Sequence, residues 1–331
     1  MIILRKGFDN FYDLIKKPVF YLTSEDPETA HEIFVSFLRV LHYTGLEKSV
    51  LDFGKRNNIV ISNAAGFNKN GYISPTTLKY LGFDRGLVGT VTGESYEGSP
   101  RPRIKRFPET NSLVNWMKLP GIGAEQVARE MESYGEHGVP ITINIAPTPE
   151  VVDFKSDLKK SILATRDLPC VDRYELNISC PNTGEKIEEY LSKLSGMLEV
   201  VCNSKKSEQK VYLKVSPDLT EENVEYIIST SNKFIVAGFT TTNTTTRHNS
   251  KYIPQSPGKG GASGDAVYEK SLAVQTMFHE RTGRKLIACG GIGSSERMLE
   301  RMSHGASEIQ IFTPLIFEGT KLLRELKMYG V

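Results

Sequence analysis

Cysteine is scarce in this 331-residue chain: Cys170, Cys180, Cys202 and Cys289 are all there are, and no two form a CxxC pair. That spacing argues against a cysteine zinc site and a disulfide framework, and it fits a reducing compartment. Charge of one sign is also lacking. Lys and Arg total 41 against 39 Asp and Glu, a net charge of +2, too small to predict a polyelectrolyte partner, so nucleic acid is not expected. No window approaches the roughly 20 consecutive apolar residues of a membrane-spanning helix. The start, MIILRKGFDNFYDLIKK, lacks the signal-peptide order of basic start, long apolar run and small-residue cleavage site. Low-complexity tracts and internal repeats beyond an alternating β/α rhythm are missing, and no residue set reads as a metal site.

What is present is a soluble globular composition, 39% hydrophobic and 24% charged, and a chain long enough for one large α/β barrel or two ordinary domains. Eight short apolar runs alternate with stretches of helical length: 59–63, 86–91, 141–146, 174–179, 211–216, 234–243, 286–291 and 308–313. Near-continuous apolar strands suit a parallel sheet covered on both sides, and eight β-then-helix units predict a closed (β/α)8 TIM barrel over 51–331. A doubly wound sheet is the competing α/β architecture, but no GxGxxG follows the first strand. The connections 93–140 and 244–266 read as long loops, the kind that build sites after barrel strands. Residues 1–50 carry a separate pattern and predict a small helical N-terminal extension. In it Asp26 is placed to cap a helix with Pro27 at its first position, and Ala30, Ile33, Phe34, Phe37, Leu38 and Leu41 recur at helical spacing.

In a barrel the chemistry belongs at the C-terminal strand ends. Those ends carry Asn63 with Lys69 beyond it, Thr90, Asn144, Asn177 with Cys180, Lys214, Asn243 with Thr244, Gly290-Gly291 and Thr313. Each alone has a bland reading, since Asn commonly caps strands and turns; together they predict a shared site. Asn side chains both donate and accept, which suits a flat polar ring bearing carbonyl and N–H groups. Lys69 could pair with a substrate carboxylate, and Lys214 could stabilise negative charge on an electron-accepting cofactor. Gly290-Gly291 and Thr313, with Ser263-Gly264, lie where barrels hold a phosphate. Cys180, in ELNISCPNTGE with no His beside it, reads as a lone proton acceptor on a loop, with a thiol pKa of roughly 8.5. Buried packing is its bland alternative.

The motifs AAGFNKNG (64–71), GTVTGESYEGSPRPR (89–103), ELNISCPNT (175–183), KVSPDLT (214–220), TTNTT (241–245), GGASG (260–264) and GGIGSS (290–295) together resemble dihydroorotate dehydrogenase, over essentially the whole chain. The resemblance implies an FMN-bearing barrel that oxidises dihydroorotate to orotate in pyrimidine synthesis. It implies substrate contacts from Lys69, Asn115, Asn177, Asn182, Asn243 and Thr244. FMN contacts are implied for Ala65, Gly66, Thr90, Asn144, Asn177, Lys214, Thr242, Ser263, Gly264, Gly290, Gly291, Phe312 and Thr313. Cys180 would take the C5 proton while a hydride leaves C6 for the flavin.

DPETAH (26–31) and the amphipathic segment before it resemble the extension of the membrane-associated, quinone-using class, with His31 and Arg106 at its quinone-tunnel positions. Cys180 and LPG (119–121) match the soluble classes, which use fumarate or, through a partner subunit, NAD; the quinone class has Ser in place of Cys180 and Tyr in place of Phe312. Trp116 and IAPTP (145–149) also depart from the quinone pattern. The expected acceptor is a quinone, with the protein held peripherally at the cytoplasmic face of the cell membrane. The alternatives are a soluble cytoplasmic enzyme using fumarate, another FMN barrel acting on a reduced pyrimidine, and a flavin-binding membrane-attached scaffold. The sequence gives no oligomeric state.

Overall fold

A computed structural model describes residues 2–51, 59–135, 138–179 and 187–328. Its strands in chain order are β1 (Val60–Asn63), β2 (Gly86–Val91), β3 (Ile104–Phe107), β4 (Ser112–Asn115), β5 (Ile141–Ile145), β6 (Val171–Asn177), β7 (Lys210–Val215), β8 (Gly238–Thr241), β9 (Gly261–Gly264), β10 (Lys285–Cys289) and β11 (Ala306–Ile311). All eight runs expected as barrel strands contribute to one parallel sheet in the order β1-β11-β10-β8-β7-β6-β5-β2. A parallel bridge from Ser62 to Arg85 draws the two ends of that order together. The barrel is therefore nearly closed.

Burial on both faces explains why these strands read as continuous apolar runs. Ile143, Leu176, Leu213, Phe239 and Ile309 are fully buried, and the outer helices complete the cover with Leu158, Ile162, Leu194, Val201, Val224, Ile227 and Phe278. Each such side chain contributes about 1.5–3 kcal/mol on leaving water. Local signals start the helices: Ser74 accepts from the Thr77 amide ahead of helix Pro75–Leu81, and Thr220 with Asn223 forms a capping box for Glu221–Ser231.

Two expectations change. The stretches read as long loops hold β3, β4 and β9, which form a three-stranded antiparallel sheet of their own, with Leu113 opposite both Arg106 and Ser263. Four-residue strands, with half-buried Lys105 and Arg106 in β3 and two glycines in β9, give almost no alternation to read. The run 234–243 yields only β8, because Phe234 and Val236 are used in a tight turn that closes with the Val236 amide on the Phe234 carbonyl at 3.0 Å.

Ahead of the barrel lie α1 (Ile2–Leu22), α2 (Pro27–Tyr43) and α3 (Glu47–Leu51). As expected, the Asp26 carboxylate accepts from the Glu28 amide and Pro27 opens α2. The apolar stripe of α2 splits, however. Leu38 and Leu41 are buried and Phe34 packs on the core, whereas Ile33 is 56% and Phe37 37% exposed. The barrel covers a narrower face than the stripe offers.

Candidate active site

The C-terminal ends of the barrel strands open into one cavity of about 700 Å³. Tyr12, Val19 and Phe20 of α1 and His31 and Phe34 of α2 form part of its wall. Lys69, Asn115, Asn177, Asn243 and Thr244 line it, as do Ala65, Gly66, Thr90, Lys214, Thr242, Ser263, Gly264, Gly290, Gly291, Phe312 and Thr313, and so do His31 and Arg106. Asn144 is fully buried and not among the lining residues. Cys180 and Asn182 lie outside the described residues.

Asn177 and Asn243 hold each other. The Asn243 amide donates to Asn177 Oδ1 and to the Ser179 carbonyl, both at 3.2 Å, and Asn177 Nδ2 donates to Thr90 Oγ1 at 3.4 Å. Parallel register sets this pair up, since Asn177 lies beside Lys214 and Lys214 beside Thr240, so the strands end at one level. On the antiparallel sheet, Asn115 Nδ2 donates to the Gly261 carbonyl at 3.4 Å. Thr313 Oγ1 donates to Ser263 Oγ at 2.9 Å, which ties the last barrel turn to β9. Gly264 and Gly291 sit at φ of 78° and 70°, and a Cβ on Gly291 would lie 2.7 Å from the Gly264 carbonyl oxygen. Only backbone fits there.

Beneath these groups lies a network that the sequence reading missed. Glu175, fully buried, accepts from Asn144 Nδ2 at 2.7 Å, Thr240 Oγ1 at 2.5 Å and Gln310 Nε2 at 2.7 Å, and its Oε1 is 3.8 Å from Lys214 Nζ. Lys214 also reaches Gln310 Oε1 at 3.4 Å and Cys289 Sγ at 3.7 Å. Burial opposes the charge on Lys214, yet its net pKa shift is upward, caused by the Cys289 sulfur and the Glu175 carboxylate. Burial drives the Cys289 thiol upward as well, which leaves the Glu175 carboxylate as the partner charge of Lys214. The available signal was polar residues at alternate positions in YELNIS and EIQIFT, which point inward once the barrel closes. With Nδ2 committed to Glu175, Asn144 Oδ1 is buried without a hydrogen-bond partner. Such an orphan marks a place for an incoming donor.

At the helical end the wall turns apolar. His31 stacks edge-on to Phe67 at 6.0 Å and lies 5.7 Å from the Phe312 ring. Burial, followed by the nearby Lys69 charge, lowers its pKa to about 4, so it is neutral at physiological pH. Burial likewise lowers Lys69 to about 8, with Glu28 opposing that shift. Arg106 uses Nη2 on the Phe20 and Thr23 carbonyls, both at 2.9 Å, and on Thr23 Oγ1 at 3.0 Å.

Residues 46–328 match the family described as dihydroorotate dehydrogenase. The chain is 33% identical to the dihydroorotate dehydrogenase (quinone) of Halobacterium salinarum over 325 residues, covering 93% of this chain and 91% of that protein. It is 31% identical to the protein of the same name from Thermosynechococcus vestitus, covering 97% and 96%. A crystal structure of DHODH in complex with ferulenol, from Eimeria tenella, shares the fold with a TM-score of 0.81 at 22% identity, over 94% of this chain and 93% of that one. A match across most of the length, on a parallel barrel whose strand ends meet in one cavity, means that the chain belongs to the dihydroorotate dehydrogenase family.

Proposed function

We propose that this protein oxidises dihydroorotate to orotate through bound FMN and passes the electrons to a quinone. The observation that carries the reading is continuity: one cavity contains both the polar strand-end set and the apolar wall of α1 and α2. A polar ring and a hydrophobic acceptor can therefore approach the same centre from two sides.

The residues fit a flavin. Asn144 Oδ1 is a buried unpaired acceptor in the Glu175–Lys214 network, Lys214 is a buried cation on the cavity wall, and Gly264 and Gly291 line the cavity at positive φ where a Cβ would collide with neighbouring backbone. Ala65, Gly66, Thr90, Asn144, Asn177, Lys214, Thr242, Phe312 and Thr313 would hold FMN, with Ser263-Gly264 and Gly290-Gly291 taking its phosphate. When bound, FMN supplies the acceptor for the hydride that leaves C6 of the substrate and relays the electron pair. Lys69 would hold the substrate carboxylate. Asn115, Asn177, Asn182, Asn243 and Thr244 would orient the ring by its amide edges, and Cys180 would take the proton from C5. His31 and Arg106 would meet the quinone. Residues 1–50 form the extension that covers the quinone side and 51–331 the catalytic barrel, with peripheral contact to the cytoplasmic face of the membrane.

Cys180 in place of Ser supports a second reading, in which fumarate is the acceptor. Steady-state oxidation of dihydroorotate with a soluble quinone, fumarate and NAD offered separately tests both. Turnover with quinone is expected. Turnover with fumarate alone rejects the quinone, and no turnover with any of the three rejects the reaction itself.

A further inference from the structure

Glu28, in the first turn of α2, is buried in the cavity wall. Its Oε2 accepts from Arg103 Nε at 2.7 Å and its Oε1 from Arg103 Nη2 at 3.0 Å, a bidentate pair. The same Oε1 lies 3.7 Å from Lys69 Nζ. Arg103 is itself fixed by donating to the Glu97 and Ser99 carbonyls at 2.7 and 2.9 Å. Glu28 is thus held from one side by a rigid fork and faces a flexible lysine on the other.

We propose that Glu28 is a positioning residue for Lys69, which makes the N-terminus of α2 part of the substrate-carboxylate site. The inference rests on the dihydroorotate reading. Lys69 ends a four-carbon stem in a low-dielectric wall, and its position needs an anchor. The charged and titratable groups facing it are Glu28, His31 and Glu32 on α2 and Arg103 on the segment before β3. His31 is neutral above about pH 4, so Arg103 is the cation that repels Lys69 and Glu28 is the principal neighbour that keeps it charged. Removing the Glu28 carboxylate leaves Lys69 and Arg103 side by side, with Arg101 also freed of its contact to Glu28 and only Glu32 opposing burial.

The sign follows from the lowered pKa of Lys69. Its charge is present below about pH 8 and lost above it, so affinity for a carboxylate falls as pH rises through that value. Glu28→Gln moves the fall to lower pH by about one unit. The measurement is orotate binding to the full-length holoenzyme between about pH 6 and pH 9, with melting temperature recorded for each variant. Glu28→Asp keeps the charge on a shorter arm, and its profile is expected between those of wild type and Glu28→Gln. A wild-type pH profile in Glu28→Gln, or a loss of affinity equal at every pH, overturns the proposal. Should Glu28→Gln fail to fold, Glu28→Asp decides: an intermediate profile supports the role and a wild-type profile rejects it. Acetylation of Lys69 against pH, read by mass spectrometry without substrate, is expected to shift the same way. Wild type that binds no orotate at any pH rejects the dihydroorotate reading, while the acetylation profiles still judge Glu28.

Discussion

Glu175 is the least expected residue in the barrel. A fully buried carboxylate is tolerated only when its oxygens are satisfied and its charge compensated. Here Asn144, Thr240 and Gln310 supply hydrogen bonds from three other strands and Lys214 supplies the charge. Glu175→Gln is expected to shift the midpoint potential of the bound flavin to more positive values. The substitution removes a buried anion and leaves the Lys214 charge free to favour the electron-rich, reduced cofactor. Spectroelectrochemical titration checks this, and an unchanged or more negative potential rejects it. Stability is expected to fall by about 3 kcal/mol because a buried pair loses one partner. The sequence displayed the glutamate in YELNIS, but its four partners come from positions up to 135 residues away, so only closure of the sheet could reveal the network.

The element that most needs explanation is α1. It stays in place through contacts along its middle and at its C-terminal end. The Tyr12 hydroxyl donates to the Ile316 carbonyl at 2.6 Å and Lys16 Nζ to the Phe317 carbonyl at 2.7 Å, while Arg106 grips the Phe20 and Thr23 carbonyls and stacks over the Phe20 ring at 4.2 Å. Carbonyls at a helix C-terminus have no partner within the helix, and a guanidinium there satisfies them and complements the helix dipole. Arg106→Gln is therefore expected to loosen the end of α1 by about 1–2 kcal/mol, seen as faster amide exchange over 15–23 with the barrel strands still protected. The quinone half-reaction should fall more than the dihydroorotate half-reaction. Equal losses in both would mean that Arg106 acts on the barrel rather than on α1. The sequence offered both partners without indicating that they meet, since β3 itself was not legible.

Across the whole molecule, apolar surface is concentrated on the extension. Leu14, Tyr21 and Leu22 of α1 are 74–81% exposed, and Ile33, Phe37, Val40 and Tyr43 of α2 are exposed as well. Among the described residues no helix is long and apolar enough to cross a membrane. A surface of this kind suits a segment lying in the lipid interface. Cosedimentation with anionic phospholipid vesicles is expected for wild type, with a several-fold lower bound fraction for Leu22→Glu combined with Ile33→Glu. Wild type remaining in the supernatant with both neutral and anionic vesicles rejects the membrane reading.

The sequence alone determined the eight barrel strands, the cap of α2 and the strand-end polar set, because burial period, capping chemistry and strand termini are local and leave a mark in consecutive residues. Tertiary structure decided which of those residues touch. Asn177 meets Asn243 across 66 positions, and Glu28 meets Arg103 across 75. It also decided which half of the α2 stripe faces the barrel. Whether a side chain packs, pairs or faces solvent depends on the element opposite it, and linear order carries no record of that element.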